Sequence, residues 1–353
     1  MSVSSDIFHE VQVISMALTI YDISQKAGVS IATVSRVING IGNVRPSTKQ
    51  KVMDVIEQYG YTPNAFARGM GLNSIRTIGI LCADSSDLYL ARAVFLLEQE
   101  LQANGYEALL CCTGYNPDAR KKYLNLILSK KVDSIILAGS DFITPYEIDN
   151  SCISEAAKEV PVMLLNAAYD HPNVYSTLCD YQNVMYEAVS AMYESGVHDI
   201  LYIYNADSYS GIRKKQGVAD ALKDKGITDF EKYICYYSGK RDAYGDIAAF
   251  IQQTADQGIF FRGVIASDDS LAVGAVKYAQ RTGLRIPEDL SVIGCNNSIL
   301  TDCCTPELTS VDNRLETLSR QLVQTMVHVL AGEEMPKKSI FSGRLIRRST
   351  TLF

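Results

Sequence analysis

A short predicted helix near the N-terminus presents a polar outer face of the kind that enters a DNA groove. The side chains on this face are Ile31, Ala32, Ser35 and Arg36. Another short helix is predicted just before it, and the tight turn between the two gives the layout of a helix-turn-helix. An ordinary helical hairpin has the same spacing, so this pattern alone leaves both interpretations open.

The residues around these helices predict where each one begins and ends. Thr19 and Asp22 have the spacing of a capping box, and Gly28 supplies the positive φ that ends the first helix. Ser30 is expected to cap the second helix. The side chains expected to face a core from the second helix are Val34, Val37 and Ile38. A third helix is predicted from about Pro46 to Tyr59.

The charge of this N-terminal segment is opposite in sign to that of the remaining chain. Seven basic and three acidic residues lie within residues 16–76, whereas the whole chain of 353 residues has a net charge of −7. A small basic module on an acidic body predicts that phosphate contacts belong to the N-terminus only. The charge therefore favours DNA binding over a plain helical hairpin.

From Thr77 onward, short apolar runs alternate with helix-like segments. The runs are TIGILCA, EALLCC, SIILAG, VMLLN, DILYIY, YICYY, GVIAS and LSVIG. Continuous apolar runs are typical of strands that are buried on both faces. Their alternation with helices predicts parallel sheets covered by helices, and the two successive sets predict two similar lobes.

Several classes of function lack their usual motifs. The chain contains no GxGxxG, GxxxxGK(S/T), GxSxG or HExxH motif, and its four histidines are scattered. Its nine cysteines show no CxxC spacing and are expected to be small buried side chains in a reducing cytoplasm. We therefore predict no enzyme, no cofactor and no metal site, although a carboxylate-lined cleft leaves a glycosidase as an alternative.

The N-terminal residues have no basic stretch typical of a signal peptide, and no apolar run reaches transmembrane length. The expected location is cytoplasmic, without membrane association. Nothing resembling a coiled coil follows Leu330, so no helix-bundle tetramer is expected.

The order of motifs along the chain resembles that of the lactose/galactose repressor (LacI/GalR-type) family of bacterial transcription regulators. The motifs are VSIATVSRVING, YTPNAFARGMGLNSIRTIGIL, GLRIPEDLSVIG and TPELTSV, and the resemblance runs from about Leu18 to the C-terminus. It implies a small all-α helix-turn-helix head and an α/β two-lobed periplasmic-binding-protein-like body with two parallel-sheet, Rossmann-like subdomains. It also implies three crossings between the lobes and a ligand cleft between them, at the carboxyl ends of the strands.

This resemblance predicts a division of the chain into domains. The expected parts are a disordered or artefactual extension at 1–17, a DNA-binding domain at 18–62, a hinge at 63–76 and an effector-binding and dimerisation domain at 77–353. Within the last, the N-lobe is expected at about 77–179 and 307–334, and the C-lobe at about 180–305 and 338–353.

The resemblance assigns base-reading positions on the second helix. Arg36 can donate two hydrogen bonds to a guanine, whereas Ile31 and Ala32 can make only apolar contacts, for example to a thymine methyl. A solvated surface arginine is the alternative role for Arg36. The other residues expected at the DNA, several of them as phosphate contacts, are Thr19, Ser30, Thr33, Ser35, Asn39, Ser47, Asn64, Arg68 and Met70.

The hinge departs from the family pattern at Met70, where a leucine usually wedges into the minor groove. Methionine is apolar and flexible and can also intercalate. Gly69 and Gly71 flank it, and each glycine weakens a helix by about 1 kcal/mol. The hinge helix is therefore expected to form only in the DNA-bound dimer. A permanently flexible linker, with Met70 packed on protein, is the alternative.

The resemblance also implies which residues line the effector cleft: Asp84, Ser86, Asp87, Tyr89, Asn166, Arg213, Lys214, Asp268 and Asn296. Tyr89 is expected to stack on a sugar face, with a core or surface role as the alternative. Asp268 is expected to face the ligand while Asp269 caps the next helix, and capping by Asp268 is the alternative.

Lys214 and Asn296 stand where the family pattern has arginine and aspartate, and lysine does not reproduce the planar fork of arginine.

The predicted protein is a homodimeric transcription regulator that binds a near-palindromic double-stranded DNA operator, and repression is its expected mode of action. Its small-molecule effector is expected to be a sugar. The alternatives are a regulator of a charged metabolite and a sugar-binding transport-type protein.

Overall fold

The computed structural model describes residues 18–40, 42–61, 74–143 and 150–353, which belong to two compact units divided between Ile75 and Arg76. The predicted N-terminal extension and most of the predicted hinge, with Asn64, Arg68 and Met70, lie outside the described residues.

Three helices build the first unit: α1 (Ile20–Ala27), α2 (Ile31–Asn39) and α3 (Pro46–Tyr59). The Thr19 hydroxyl accepts a hydrogen bond from the Asp22 amide, and the Asp22 carboxylate accepts one from the Thr19 amide at 2.7 Å. Ser30 caps α2 by accepting from the Thr33 amide, and Gly28 ends α1 with φ 61°. The predicted capping box, caps and third helix are confirmed.

A small apolar core holds these helices together. The buried side chains are Ile23, Ala27, Val34, Val37, Val52 and Tyr61. Because Val34 and Val37 lie three residues apart, they form one stripe along α2 and fix which way the helix faces. The opposite side of α2 is thereby left to solvent.

The second unit contains two sheets. Their strands are β1 (Thr77–Cys82), β2 (Glu107–Cys112), β3 (Ser134–Ala138), β4 (Val162–Leu165), β5 (Val174–Cys179), β6 (Ile200–Tyr204), β7 (Ile234–Tyr236), β8 (Gly263–Ala266), β9 (Ser291–Cys295), β10 (Thr309–Asp312), β11 (Lys338–Phe341) and β12 (Arg344–Ile346). The first sheet has the order β11-β5-β4-β3-β1-β2 with all neighbours parallel. The second has the order β12-β10-β9-β8-β6-β7, and β12 is antiparallel to β10.

Helices cover both faces of the sheets. They are α4 (Leu88–Ala103), α5 (Pro117–Ser129), α6 (Ser151–Glu159), α7 (Tyr181–Glu194), α8 (Tyr209–Asp224), α9 (Tyr244–Asp256), α10 (Asp269–Thr282), α11 (Leu300–Cys303) and α12 (Leu315–Leu330). On the first sheet, α12 packs on α4, β4 and β5, while α5 and α6 pack together. The predicted class, two parallel-sheet lobes with covering helices, is confirmed. In the described part of the chain, no helix has the length and apolarity needed to span a bilayer.

Two short segments lie in the opposite sheet to the predicted one. Thr309–Asp312, expected in the N-lobe, pairs with β9 in the second sheet, and Lys338–Phe341, expected in the C-lobe, pairs with β5 in the first. The predicted ranges were wrong here because the chain passes from the second lobe to the first only after β10, and it returns to the second lobe only after β11. With the crossing after β5, the two sheets are connected three times, as the resemblance implied.

Candidate DNA-reading face and ligand cleft

The outer face of α2 is the solvent-facing side predicted for DNA reading. Ile31, Ala32 and Arg36 are exposed, while Thr33 and Ser35 are half-buried. The hydroxyls of Ser30 and Thr33 lie 2.9 Å apart at the start of the helix. This geometry brings the expected base-reading side chains onto one surface, next to hydroxyls that can reach phosphates.

Further exposed basic side chains lie on α3 and at its start. They are Arg45, Lys49 and Lys51, and Ser47 is exposed in the same turn. Among the acids of this unit, Asp22 is held in the capping box, and hydrogen bonds from Thr19 lower its pKa. Asp54 accepts a hydrogen bond from Gln50. The described part of the head therefore keeps the positive surface that its sequence predicts.

The carboxyl ends of strands from both sheets surround a cavity of about 80 Å³. On the first-sheet side, its lining includes Asp87, Tyr89, Ser140, Asp141 and Asn166; on the second-sheet side it includes Asn205, Lys214, Arg241, Ser267, Asp268 and Asn296. Strand ends of parallel sheets are where ligands bind in open α/β folds. We call this cavity the inner cleft.

Asn166 positions Tyr89 at the edge of the inner cleft. Asn166 is 3% exposed and has φ 58°, and its side-chain oxygen accepts from the Cys179 amide at 2.9 Å. Its amide nitrogen donates to the Tyr89 hydroxyl. Burial raises the pKa of Tyr89 above its ordinary value, so the hydroxyl stays protonated. The predicted pair therefore lies together, with part of its hydrogen-bonding capacity already used.

At the start of α10, Asp268 takes the capping role that was expected of Asp269. Asp268 is the N-cap, because one carboxylate oxygen accepts from the Leu271 amide at 2.9 Å. Its other oxygen accepts from the Asn205 side chain at 3.0 Å, inside the inner cleft. The prediction that Asp269 caps the helix was wrong, and Asp268 both caps it and lines the cleft.

Asp269 is instead a buried structural carboxylate. It is 2% exposed and accepts hydrogen bonds of 2.6 Å from the Ser310 hydroxyl and from the Ser298 amide. Burial raises the pKa of Asp269 to about 6. Its hydrogen bonds tie α10 to β10 and to the loop after β9, next to Asn296.

This carboxylate predicts a pH dependence of stability. Between pH 7 and pH 5, Asp269 takes up a proton in the folded chain and stays ionised in the unfolded chain, whose pKa is lower. Lowering the pH should therefore stabilise the wild type relative to Asp269→Asn by about 1 kcal/mol. Urea unfolding of both proteins at the two pH values measures this. An unfolding free-energy difference that stays constant with pH would contradict it.

Neighbouring basic residues of α8 point in different directions. Lys214 is buried, donates to the Ser267 carbonyl at 2.7 Å and lies over the Tyr181 ring at 4.5 Å. Arg213 is turned outside, bonds the Gln182 side chain at 3.3 Å and does not line the inner cleft. Successive helical residues differ by about 100° in direction. The structure thus brings Lys214, but not Arg213, to the predicted site.

Asn296 belongs to the floor of the inner cleft. It has φ 97°, and its side-chain oxygen accepts a hydrogen bond from the side-chain nitrogen of Asn313 at 3.2 Å. Asn313 also donates to the Tyr181 hydroxyl at 2.7 Å. Asn313 and Tyr181 were not predicted. Asn313 directly follows β10 and Tyr181 lies two residues after β5, and neither strand was predicted from the apolar runs.

Asp84 and Ser86 lie outside the inner cleft. Asp84 accepts from the Ser86 amide at 2.8 Å and from its hydroxyl at 2.7 Å, and these hydrogen bonds lower the pKa of Asp84. Both residues line a second cavity beside the first. Their predicted role in the inner cleft does not follow from this geometry.

An ion pair that the sequence did not predict connects the two lobes. Arg241, in the loop after β7, donates to Asp87 at 2.7 Å, and Asp87 also caps α4 through the Leu90 amide. Burial lowers the pKa of Arg241, but the charges of Asp268 and Asp87 outweigh it and raise the pKa overall. The guanidinium therefore remains charged and holds the lobes together.

Serine hydroxyls make a second contact between the lobes. The Ser140 hydroxyl, just after β3, lies 2.9 Å from the Ser208 hydroxyl and 2.7 Å from the Ser210 hydroxyl.

Gly217 allows α8, the helix that carries Lys214, to lie close to α7, because a Cβ at this position would overlap the Gln182 carbonyl oxygen. Among the described residues, no group of three or more His, Cys, Asp or Glu side chains is arranged to hold a metal ion.

Comparisons with known proteins identify the family. Residues 19–64 match the profile of the bacterial regulatory proteins of the lacI family, and residues 189–351 match the periplasmic binding protein-like domain. An HTH-type transcriptional regulator of Lachnoclostridium phytofermentans is 49% identical over 336 residues, which are 95% of this chain and 100% of that protein. The chain belongs to the LacI family of bacterial regulatory proteins.

Other members of the LacI family are also similar over most of their length. Catabolite control protein A of Priestia megaterium is 31% identical over 84% of this chain and 87% of that protein. The Lac repressor dimer bound to operator has a TM-score of 0.83 at 21% identity and covers 96% of this chain and 100% of that one. This LacI-family chain is thus an HTH-type transcriptional regulator with a helix-turn-helix head and a two-lobed body.

Proposed function

We propose that this regulator is a homodimeric repressor that binds a near-palindromic operator and responds to a neutral sugar bound in the inner cleft. Its DNA-contacting hinge and its domain division, with Thr309–Asp312 and Lys338–Phe341 assigned to the opposite lobes, are part of the proposal. So are the DNA-binding residues named from the sequence and the effector residues other than Arg213. Two-fold symmetry of a dimer matches the two half-sites of such an operator.

The DNA part of the proposal rests on α2. Its exposed face carries Arg36 beside the apolar side chains of Ile31 and Ala32, and exposed basic residues lie on α3. A guanidinium can read a guanine, and the basic residues can neutralise phosphates. Ligand binding in the body would then change operator affinity through a coupling between two separate sites.

The carboxylates of the inner cleft carry the ligand part of the proposal. Asp87, Asp141 and Asp268 line it, and the guanidinium of Arg241 is already paired with Asp87. A strongly anionic ligand would meet these carboxylates at a cost in free energy. Neutral hydroxyls can donate to the carboxylates and both donate to and accept from Asn166 and Asn296.

The names of similar proteins agree with a carbohydrate ligand. One solved structure is the transcriptional regulator CelR in complex with cellobiose, with a TM-score of 0.67 and 23% identity over 94% of this chain and 99% of that chain. This supports a carbohydrate as the class of ligand to test first, without fixing which one.

A thermal-shift screen tests the ligand class. Ligands that bind only the folded protein stabilise it, by about 2.7 kcal/mol at a concentration of 100 times Kd. We expect neutral sugars or glycosides to raise the melting temperature of the full chain by a few degrees and sugar acids to have no effect. Stabilisation by sugar phosphates or acids alone would overturn the neutral-sugar proposal.

One observation favours a charged metabolite as the second candidate. The ammonium of Lys214 lies at the inner cleft, hydrogen-bonded to a backbone carbonyl, and makes no ion pair within the described residues. An anionic group of a ligand could supply the missing charge. The same screen, with phosphate esters and sugar acids included, separates the two candidates.

A further inference from the structure

A second cavity adjoins the inner cleft. Its volume is about 520 Å³, and it shares Asp87, Asp141, Asn205 and Arg241 with the lining of the inner cleft. We call it the outer chamber. Cavities that bind small molecules are typically about 300–1,000 Å³ in volume. The inner cleft, at about 80 Å³, lies well below that range, whereas the outer chamber lies within it.

The ion pair between Arg241 and Asp87 lies at the boundary of the two cavities. Both residues line both of them, and the side chain of Asp87 is only 11% exposed. A ligand confined to the inner cleft would touch one side of this pair. A ligand that extends past the ion pair would contact the guanidinium of Arg241 from both cavities. This is possible because the N–H donors of a guanidinium point outward in one plane.

Tyr115 gives the outer chamber an apolar wall. It follows β2, and its side chain is 53% exposed. Asp141 and Arg241 line the same chamber as Tyr115, so the ring lies beside charged groups. A partly exposed aromatic ring beside polar groups can pack on the apolar face of a sugar.

Carboxylates complete the chamber on the side of the first sheet. Asp141 lies in the turn Ser140–Phe142, which buried Arg120 holds by donating to the Asp141 and Phe142 carbonyls at 2.8 Å each. Asp141 makes no ion pair in the described part of the chain, and burial raises its pKa. Asp84 is ordered by Ser86 in the same wall. These oxygens can accept hydrogen bonds from sugar hydroxyls.

We infer that the outer chamber is a second sugar-binding subsite and that the ligand is a neutral disaccharide or a glycoside of similar length. One unit occupies the inner cleft, and the second packs on Tyr115, with Asp141 and Asp84 accepting from its hydroxyls. The inference rests on the proposed function, because it assumes a carbohydrate ligand. A single sugar ring in the inner cleft would leave the aromatic wall of Tyr115 and the carboxylate of Asp84 to water.

Isothermal titration of the full chain with matched sugars tests this inference. The probes are glucose with cellobiose, galactose with lactose, and xylose with xylobiose. We expect a disaccharide to bind at least about 10-fold more tightly than its own monosaccharide, through the added aromatic contact and hydrogen bonds. Tyr115→Ala should remove most of that difference and leave monosaccharide affinity unchanged.

Tyr236→Ala is the matched control, because Tyr236 is 49% exposed and lines neither cavity. It should change neither affinity. Equal affinity for a disaccharide and its monosaccharide, or equal weakening of both by Tyr115→Ala, would overturn the second subsite and leave the sugar proposal standing. Binding of phosphorylated or acidic sugars alone would instead overturn the proposed function, and the inference with it.

Discussion

Replacing Asp268 with asparagine is expected to weaken ligand binding by about 10- to 100-fold, because hydrogen bonds to a charged acceptor contribute about 1.5–3 kcal/mol. Asparagine is also a good N-cap, so the hydrogen bond to the Leu271 amide can be kept and α10 should remain stable. Operator affinity without ligand should stay near wild type, since the two sites are separate and only coupled.

Two titrations check this prediction. Calorimetry with a ligand that stabilises the wild type gives the loss of ligand affinity, and fluorescence anisotropy with operator gives the DNA affinity. Asp118→Asn is a suitable control, because Asp118 is an exposed aspartate in the first turn of α5 and lines neither cavity. An Asp268→Asn protein with unchanged ligand affinity would remove Asp268 from the site.

The strands that the sequence predicted are those with unbroken apolar runs. In β5, the buried residues Ser176 and Thr177 interrupt the run, so the pattern did not predict this central strand. In β10, Thr309 and Ser310 are fully buried and bonded to Thr351 and Asp269. Such polar strand residues become buried only because distant partners satisfy their hydroxyls, and local sequence does not show those partners.

Helix limits in the head were predictable for a different reason. The capping box and the glycine turns there act between residues that are close in sequence, so local spacing determines them. At the start of α10, the same local signals fit either of two adjacent aspartates. A shift of one residue then decides whether a carboxylate caps the helix or is buried behind it.

Part of the cleft could be predicted from the resemblance to the family. The resemblance named Asn166, Asp268 and Asn296, and all three line the inner cleft, while their contact with a ligand stays a prediction. Arg241 and Asp141 were missed because neither directly ends a predicted strand; one lies in a loop beyond β7 and the other in a short turn. The contact of Arg241 with Asp87 depends on how the two lobes close, which sequence spacing does not encode.

Arg36→Ala is expected to lower operator affinity by about 1–3 kcal/mol per half-site, the usual contribution of a side chain that bonds a base with both donors. Arg36 is exposed on α2 and lies outside the head core, so its loss should not unfold the head. Because the lost contact reads one base, preference at a single position of each half-site should relax.

The measurement is a set of titrations with operators that carry each base at each half-site position, at fixed salt. Arg45→Ala is the matched control, since Arg45 is also exposed but lies just before α3. A phosphate contact there would weaken binding to all operators alike and reduce its salt dependence. If Arg36→Ala instead weakens every operator by the same factor, Arg36 contacts the backbone, and α2 reads the operator through other side chains.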